Sequence, residues 1–226
     1  MTTMQMGTIQ LMTVLRKSDQ GYILQKGKTE VFLSEQETTR KLLNGDKVDV
    51  FVYMDKQDQI VATMNLPQMV MGTYGWASVV KVVPNLGVFV HIGSSIEVLV
   101  SVDDLPIVEA VWPDVGDKLY VTLGQDKKGR LLAIPASEEQ LRDEWEIADS
   151  VKLNDRVSGY VYLTSKEGSA MLTERGNRAF IHHTEREREP RLGEYVNGRV
   201  IDVKEDGTLN VSLLPFKHER IADDAE

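Results

Sequence analysis

The 226-residue sequence predicts an all-β chain of three tandem five-stranded barrels with a short connector helix. Three observations point there. One order of landmarks repeats three times: a β-rich run reaching a Gly, two short strands, a Gly followed by an acid, then a strand, a polar turn and a last strand. Each copy is ~60–70 residues, too long for a solenoid repeat and suited to a small, partly open Greek-key barrel. Gly, Asn and Asp break the alternating apolar runs at short intervals, which favours barrel or sandwich over α/β. Helical periodicity is confined to a few short stretches.

The first copy, 1–66, carries "VLRKSDQGYILQKG", "TEVFLSEQE", "NGDKVDVFVYMD" and "QIVATMNLP". Tyr22 alternates inward with Leu24 and is expected in its core. "SEQETTRKLL", 34–43, is expected to bridge two strands as a helix or turn. The second copy, 69–136, carries "VVKVVPNLGVFVHIG", "IEVLVSVDDLP", "VGDKLYVTLGQD" and "RLLAIPAS". At 137–150 the connector follows. Ser137 and Gln140 have capping-box spacing, acids fill the first turn, and Leu141, Trp145 and Ala148 share one helical face. It is either a solvated linker or a strut in which Trp145 pins the third barrel to the second. The third copy, 151–216, carries "VYLTSKEGSAMLT", "RAFIHHTERE", "LGEYVNGRVIDVKED" and "TLNVSLLP", and an acidic tail follows at 217–226. Aligning Gly21, Gly87 and Gly168 brings Ser34, Ser101 and His182 nearly into register, together with Gly45-Asp46, Gly116-Asp117 and Gly193-Glu194.

The apolar content of 42% supports a buried core and argues against disorder. With no Cys, disulfides and thiolate metal sites are excluded. No segment approaches the ~20 apolar residues of a membrane span, and the N-terminus lacks a signal-type run. A soluble, cytoplasmic protein is expected. The net charge of -9 looks unsuited to nucleic acid, but two short segments, 137–149 and 217–226, carry -7 of it. The three barrel segments are near neutral, so each is able to present a basic face.

The second copy's "NLGVFVHIG", "EVLVSVDDL", "GDKLYVTL" and "GQDKKGRLLAI" resemble the S1 domain, an OB-fold RNA-binding module. Asp126 and Arg130 keep that family's D-x-x-G-R spacing, Phe89 takes its second aromatic position, and His182 in "AFIHHTE" takes its His position. The tandem layout, ending near "LLPFKHERIADDA", is similar to the conserved virulence factor B family of bacterial regulatory RNA-binding proteins. The resemblance implies post-transcriptional gene regulation. In that family a winged-helix segment follows; either the acidic tail leads to one beyond Glu226 or the protein lacks it. No copy holds the full aromatic-plus-His set: Ile23 and Ala170 stand where the second copy has Phe89, and Ser34 and Ser101 where the third has His182.

Alternation turns Val88, Val90 and Ile92 inward, so Phe89 and His91 face outward. An outward Phe either stacks a base or is covered by a neighbouring barrel. His91 is expected to stack or touch phosphate. Lys81 on the preceding strand, with Lys127, Lys128 and Arg130 at the last turn, supplies cations for phosphate. Asp126 is expected to fix that turn and orient Arg130. In the third copy Tyr160 and Tyr162 are expected on one strand face, Tyr162 aligned with Lys81; Tyr162 and His182 are the candidate contacts there. "ERERE", 185–189, is expected as a solvated loop.

Catalysis has little support. The four His are 91, 182, 183 and 218, with no metal-ligand spacing, phosphate loop or nucleophile elbow. His182 and His183 are expected on opposite faces of a strand. No catalytic, metal or cofactor residue is assigned. The expected partner is single-stranded RNA, with protein partners in RNA turnover or translation and no membrane. The alternative is a protein-interaction scaffold, or an accessory module of a nuclease or translation complex, whose RNA binding has eroded.

Overall fold

The computed structural model describes residues 4–215; the acidic tail expected at 217–226, and His218 with it, lie outside the described residues. The first barrel has strands β1 (Thr8–Ser18), β2 (Gly21–Lys26), β3 (Thr29–Ser34), β4 (Lys47–Met54) and β5 (Ile60–Thr63). The second has β6 (Gly75–Val83), β7 (Gly87–His91), β8 (Glu97–Ser101), β9 (Lys118–Gln125) and β10 (Leu131–Pro135). The third has β11 (Arg156–Thr164), β12 (Gly168–Thr173), β13 (Arg178–His182), β14 (Tyr195–Val203) and β15 (Leu209–Ser212). All three close in the same order, with the third strand pairing the fifth in parallel and the fourth closing onto the first. Alternation builds each core: Met12, Val14, Tyr22 and Leu24 in the first barrel, Val88, Val90 and Val100 in the second, Val161, Met171 and Ile181 in the third. Each such fully buried aliphatic side chain contributes about 1.5–3 kcal/mol.

The repeated Gly-acid pair has a mechanical reason. Gly45, Gly116 and Gly193 adopt φ of +89°, +95° and +82°, a left-handed turn that favours Gly. The acid that follows accepts a hydrogen bond from the backbone N–H three residues earlier: Asp46 from Leu43 (3.1 Å), Asp117 from Asp114 (2.7 Å) and Glu194 from Arg191 (2.9 Å). One motif thus sets the entry to the fourth strand of every barrel. The aligned Ser34, Ser101 and His182 also share a task. Each accepts from the backbone N–H two residues on (Gln36, Asp103, Thr184) and caps the 3-10 turn after the third strand.

One helical expectation is corrected. The stretch 34–43 takes the turn alternative, with a single 3-10 turn at Glu35–Glu37. The connector has its capping box at Ser137 and Gln140, but its helix α1 covers only Glu138–Leu141 and passes through a 3-10 turn, Arg142–Glu144, into extended chain at Trp145. The reason lies in the third barrel's turns: Glu146 donates to the Gly176 carbonyl (2.9 Å) and Ala148 to that of Gly207 (3.3 Å). Those bonds replace the intrahelical ones a longer helix needs.

The chain clusters into two compact units, one of residues up to 105 with 120–135, the other of 106–119 with 136 onward. Within the first, the Glu37 carboxylate accepts from Thr63 Oγ1 (2.6 Å), Asn65 Nδ2 (3.1 Å) and Ser95 Oγ (2.5 Å), linking the first barrel to the β7–β8 loop. Within the second, Arg191 forks onto Asp117 (2.9 and 3.0 Å) and Arg188 pairs with Glu194. In the charge run at 185–189, expected as a solvated loop, Glu187, Arg188 and Glu189 are exposed, while the Arg186 side chain is 7% exposed and bonds Ser169 Oγ.

Burial pushes the Glu37 and Glu194 carboxyls up, but their hydrogen bonds more than offset this: from Ser95, Thr63 and Asn65 for Glu37, and from Arg188 and the Arg191 backbone for Glu194. Both are held below the ordinary 4.5. A lowered folded value means the unfolded chain takes up these protons first. The stabilisation is complete above 4.5 and is lost as pH falls through the folded values. Calorimetry should show the unfolding temperature dropping below pH ~4.5, with a shallower drop in Glu37→Gln.

Candidate nucleic-acid interface

In the second barrel, cross-strand register sets four outward residues side by side: Lys81 on β6, Phe89 on β7, Leu99 on β8 and Leu132 on β10. Val88 and Val90 are fully buried on either side of a half-buried Phe89, so alternation places the ring as the sequence predicts. Lys81 Nζ stands 6.0 Å from the Phe89 ring centroid, within cation–π reach. Exposed His91 continues the same face and pairs across with Glu97 and Ser78. Its Nδ1 accepts from the Gly93 N–H (3.3 Å), which leaves the Nε2 edge as donor.

At the β9–β10 turn, Asp126 accepts from the backbone N–H groups of Lys128 (2.8 Å) and Arg130 (3.0 Å), and its second oxygen takes the Arg130 Nε (2.8 Å). Burial raises the Asp126 carboxyl, but the Arg130 and Lys128 bonds more than offset this, and it sits below the usual range. Arg130 is thus oriented rather than free to swing. It precedes Leu132 by two residues and shares its face, about two strand spacings or ~10 Å from β7. Lys128 is exposed at the turn's tip.

Tyr162 is a correction. The register of β11 slips by one residue between Val161 and Leu163, as it does in β6 between Val79 and Lys81 and in β1 between Val14 and Arg16. The bulge flips the face. Leu163, not Tyr162, is the counterpart of Lys81, and Tyr162 is 8% exposed, its ring unavailable for stacking. Burial pushes its phenol up to about 12, with the Glu138 charge adding and Arg178 opposing. Tyr160 does not share its face; that ring packs edge-on against Tyr195 at 5.0 Å.

His182 does reach an open face. It lines a shallow pocket of about 370 Å³ with Phe180, Ile201, Lys204 and Asn210. Its ring packs tilted against His183 at 4.2 Å between centroids, because the strand ends there and alternation no longer separates the pair. Next along β13, Arg178 lies between the Trp145 ring (5.4 Å) and the Phe180 ring (5.9 Å) and pairs with Glu138 (2.6 Å). Among the described residues no three His, Asp or Glu side chains gather to hold a metal.

The same four-residue row recurs in all three barrels. It reads Arg16, Ile23, Phe32, Val61 in the first and Leu163, Ala170, Phe180, Asn210 in the third, where Ala170 is fully buried. Phe32 and Phe180 were missed in the sequence because the aromatic moves one strand over, from the second strand to the third. Alternation alone signals both: Val31 and Leu33 flank Phe32, and Ala179 and Ile181 flank Phe180, all buried.

Known proteins share this layout. Residues 74–134 match the profile described as the CvfB first S1-like domain, 144–215 that of the second domain of virulence regulatory factor CvfB, and 6–65 an S1 domain. Conserved virulence factor B of Staphylococcus epidermidis is 34% identical over 97% of this chain and 75% of its own. The chain belongs to the CvfB family. The uncharacterized protein YitL of Bacillus subtilis is 41% identical over 99% of the chain and 75% of its own. The crystal structure of a multidomain protein with nucleic acid binding domains from Streptococcus pneumoniae superposes with a TM-score of 0.83 at 32% identity, covering 93% of this chain and 74% of that one. In this CvfB-family chain the three barrels are S1-type OB barrels in tandem, and the first barrel matches the general S1 profile. Among the described residues no helix is long and apolar enough to cross a membrane.

Proposed function

We propose that this chain binds single-stranded RNA along the outward rows of its barrels and acts in the cytoplasm as a post-transcriptional regulator, without catalysis. The observation that carries the reading is the recurrent row, each copy holding one half-buried Phe, a ring of the kind that stacks bases. In the second barrel Lys81, His91, Lys128 and Arg130 lie beside that ring or on the bordering turn, where phosphates of a stacked strand would pass. In the third, His182, Lys204 and Asn210 line the pocket floored by Phe180. The S1-type assignment and the nucleic acid binding domains of the Streptococcus pneumoniae protein support nucleic acid as the ligand. The description of the family matched by residues 144–215, virulence regulatory factor CvfB, supports a regulatory role.

Titrating a labelled single-stranded RNA at several salt concentrations tests this. Log affinity should fall linearly with log salt, by roughly 0.7 for each phosphate contact. Lys81→Ala and Arg130→Ala should each flatten the slope by about one such contact. No binding at low salt rejects RNA as the ligand and leaves a protein-binding scaffold. Binding with a slope untouched by both variants rejects the second barrel's face.

A further inference from the structure

The first barrel's last turn, "DKQDQ", sets one Lys against two Asp, and its Arg16 is paired with Glu30 at 3.1 Å. It nonetheless grips the loop that follows His91 on the second barrel. Three contacts converge on residues 92–96. The Ser95 hydroxyl donates to Glu37 (2.5 Å), the Ser94 hydroxyl to the Asn65 carbonyl (2.6 Å), and the Gln68 N–H to the Ile92 carbonyl (2.9 Å). Gly93 adopts φ of +85°, and a Cβ there would lie 2.7 Å from the Gln68 side chain, so segment and loop are closely fitted. Gly93 in turn donates to His91 Nδ1. A continuous chain of bonds thus runs from Glu37, on the 3-10 turn after β3, to the imidazole on the neighbouring barrel's face.

We propose that the first barrel is a jig for the second: Glu37 is a positioning residue that, through Ser95 and the 92–96 loop, holds His91 with its Nε2 hydrogen directed at bound RNA. This rests on the RNA-binding reading of the second barrel. The physical argument is preorganisation. A ring held in one tautomer and one orientation before binding avoids the entropy cost of fixing it on contact. Glu37 suits the task because one carboxylate oxygen gathers donors from its own barrel's last strand (Thr63), from the linker (Asn65) and from the second barrel (Ser95). An apolar residue there would leave Thr63 and Ser95 without that common acceptor, and the loop would lose its registration while both barrels kept their cores.

The test uses the full chain. Imidazole nitrogen shifts, read by NMR without RNA, report the His91 tautomer. RNA affinity is measured alongside. Glu37→Ala and Ser95→Ala should each lower the Nε2–H population of His91 and weaken RNA binding by roughly fivefold, the equivalent of about one net hydrogen bond. Glu37→Gln, which keeps an acceptor, should restore most of both. In a His91→Ala background Glu37→Ala should cost no further affinity. If Glu37→Ala lowers the unfolding temperature but leaves the His91 shifts and the affinity unchanged, the contact is only structural and the proposal falls. If the affinity loss persists without His91, Glu37 acts by another route and the proposal also falls. Failure of the wild type to bind RNA overturns the underlying function, while the tautomer shift still reports whether Glu37 orients the ring.

Discussion

Gly87→Ala should be among the most damaging single-methyl additions in the chain. A Cβ at Gly87 would lie 2.0 Å from the Val100 carbonyl oxygen and 3.0 Å from the Val102 nitrogen, at φ of +135°. Both obstacles are backbone of the paired strand, so no side-chain rotation relieves them. Moving β8 away would break the β7–β8 ladder, in which Gly87 pairs with Ser101. The expected cost is about 3–5 kcal/mol, the range reached when a special backbone site is strained. For a barrel of this size that is roughly 12–40 °C in unfolding temperature. Gly27→Ala is the control. Gly27 is also left-handed, φ +60°, but nothing lies within 4 Å of its Cβ position. It should cost only about 1–2 kcal/mol, the conformational penalty alone. Calorimetry on both variants separates close approach from backbone preference; equal losses would mean strand contact is not what selects Gly here. The same geometry recurs at Gly21, 2.1 Å from the Leu33 oxygen, and at Gly168, 2.3 Å from that of Ile181. Close approach of the paired strand's backbone at this corner therefore explains why Gly recurs there in all three copies.

What was legible in the sequence is local. Period-two alternation placed Phe89 outward because five residues of β7 suffice to state it, and the Gly-acid motif was visible because its hydrogen bonds span three residues. Tyr162 was misplaced because a one-residue bulge reverses inside and outside without any composition mark: the bulge positions hold Leu15, Val80 and Tyr162, which share neither size nor polarity. The connector was read too long because its backbone donors find Gly176 and Gly207, roughly thirty and sixty residues away, and no helical periodicity encodes a distant acceptor. Glu37 was invisible for the same reason: its partner Ser95 is 58 residues on. Phe32 and Phe180 obeyed the rule that found Phe89. They were overlooked because the S1 pattern directs attention to the second strand and the final His, whereas these rings stand on the third strand.

That relocation sets up the largest effect expected on binding. Phe32→Ala, Phe89→Ala and Phe180→Ala each remove one ring from equivalent rows. Stacking on an aromatic is worth about 1–3 kcal/mol per base, so each variant should weaken a single-stranded RNA by roughly tenfold to a hundredfold if its row is occupied. Phe32→Ala should cost least, since the neighbouring Arg16 is already paired with Glu30. Phe89→Ala also frees Lys81 from its position over the ring, so it should lower affinity more than Lys81→Ala does. The triple variant decides whether the rows act together. If three tethered barrels engage one strand, each site raises the effective concentration at the others, and removing all three rings should cost on the order of a thousandfold or more. On a short oligonucleotide that reaches only one barrel, the same triple variant should cost no more than the worst single one. Because the three rings are half-buried on outward faces, circular dichroism and unfolding temperature should change far less than for Gly87→Ala. A folded triple variant that binds long RNA as the wild type does would remove the rows from the binding surface.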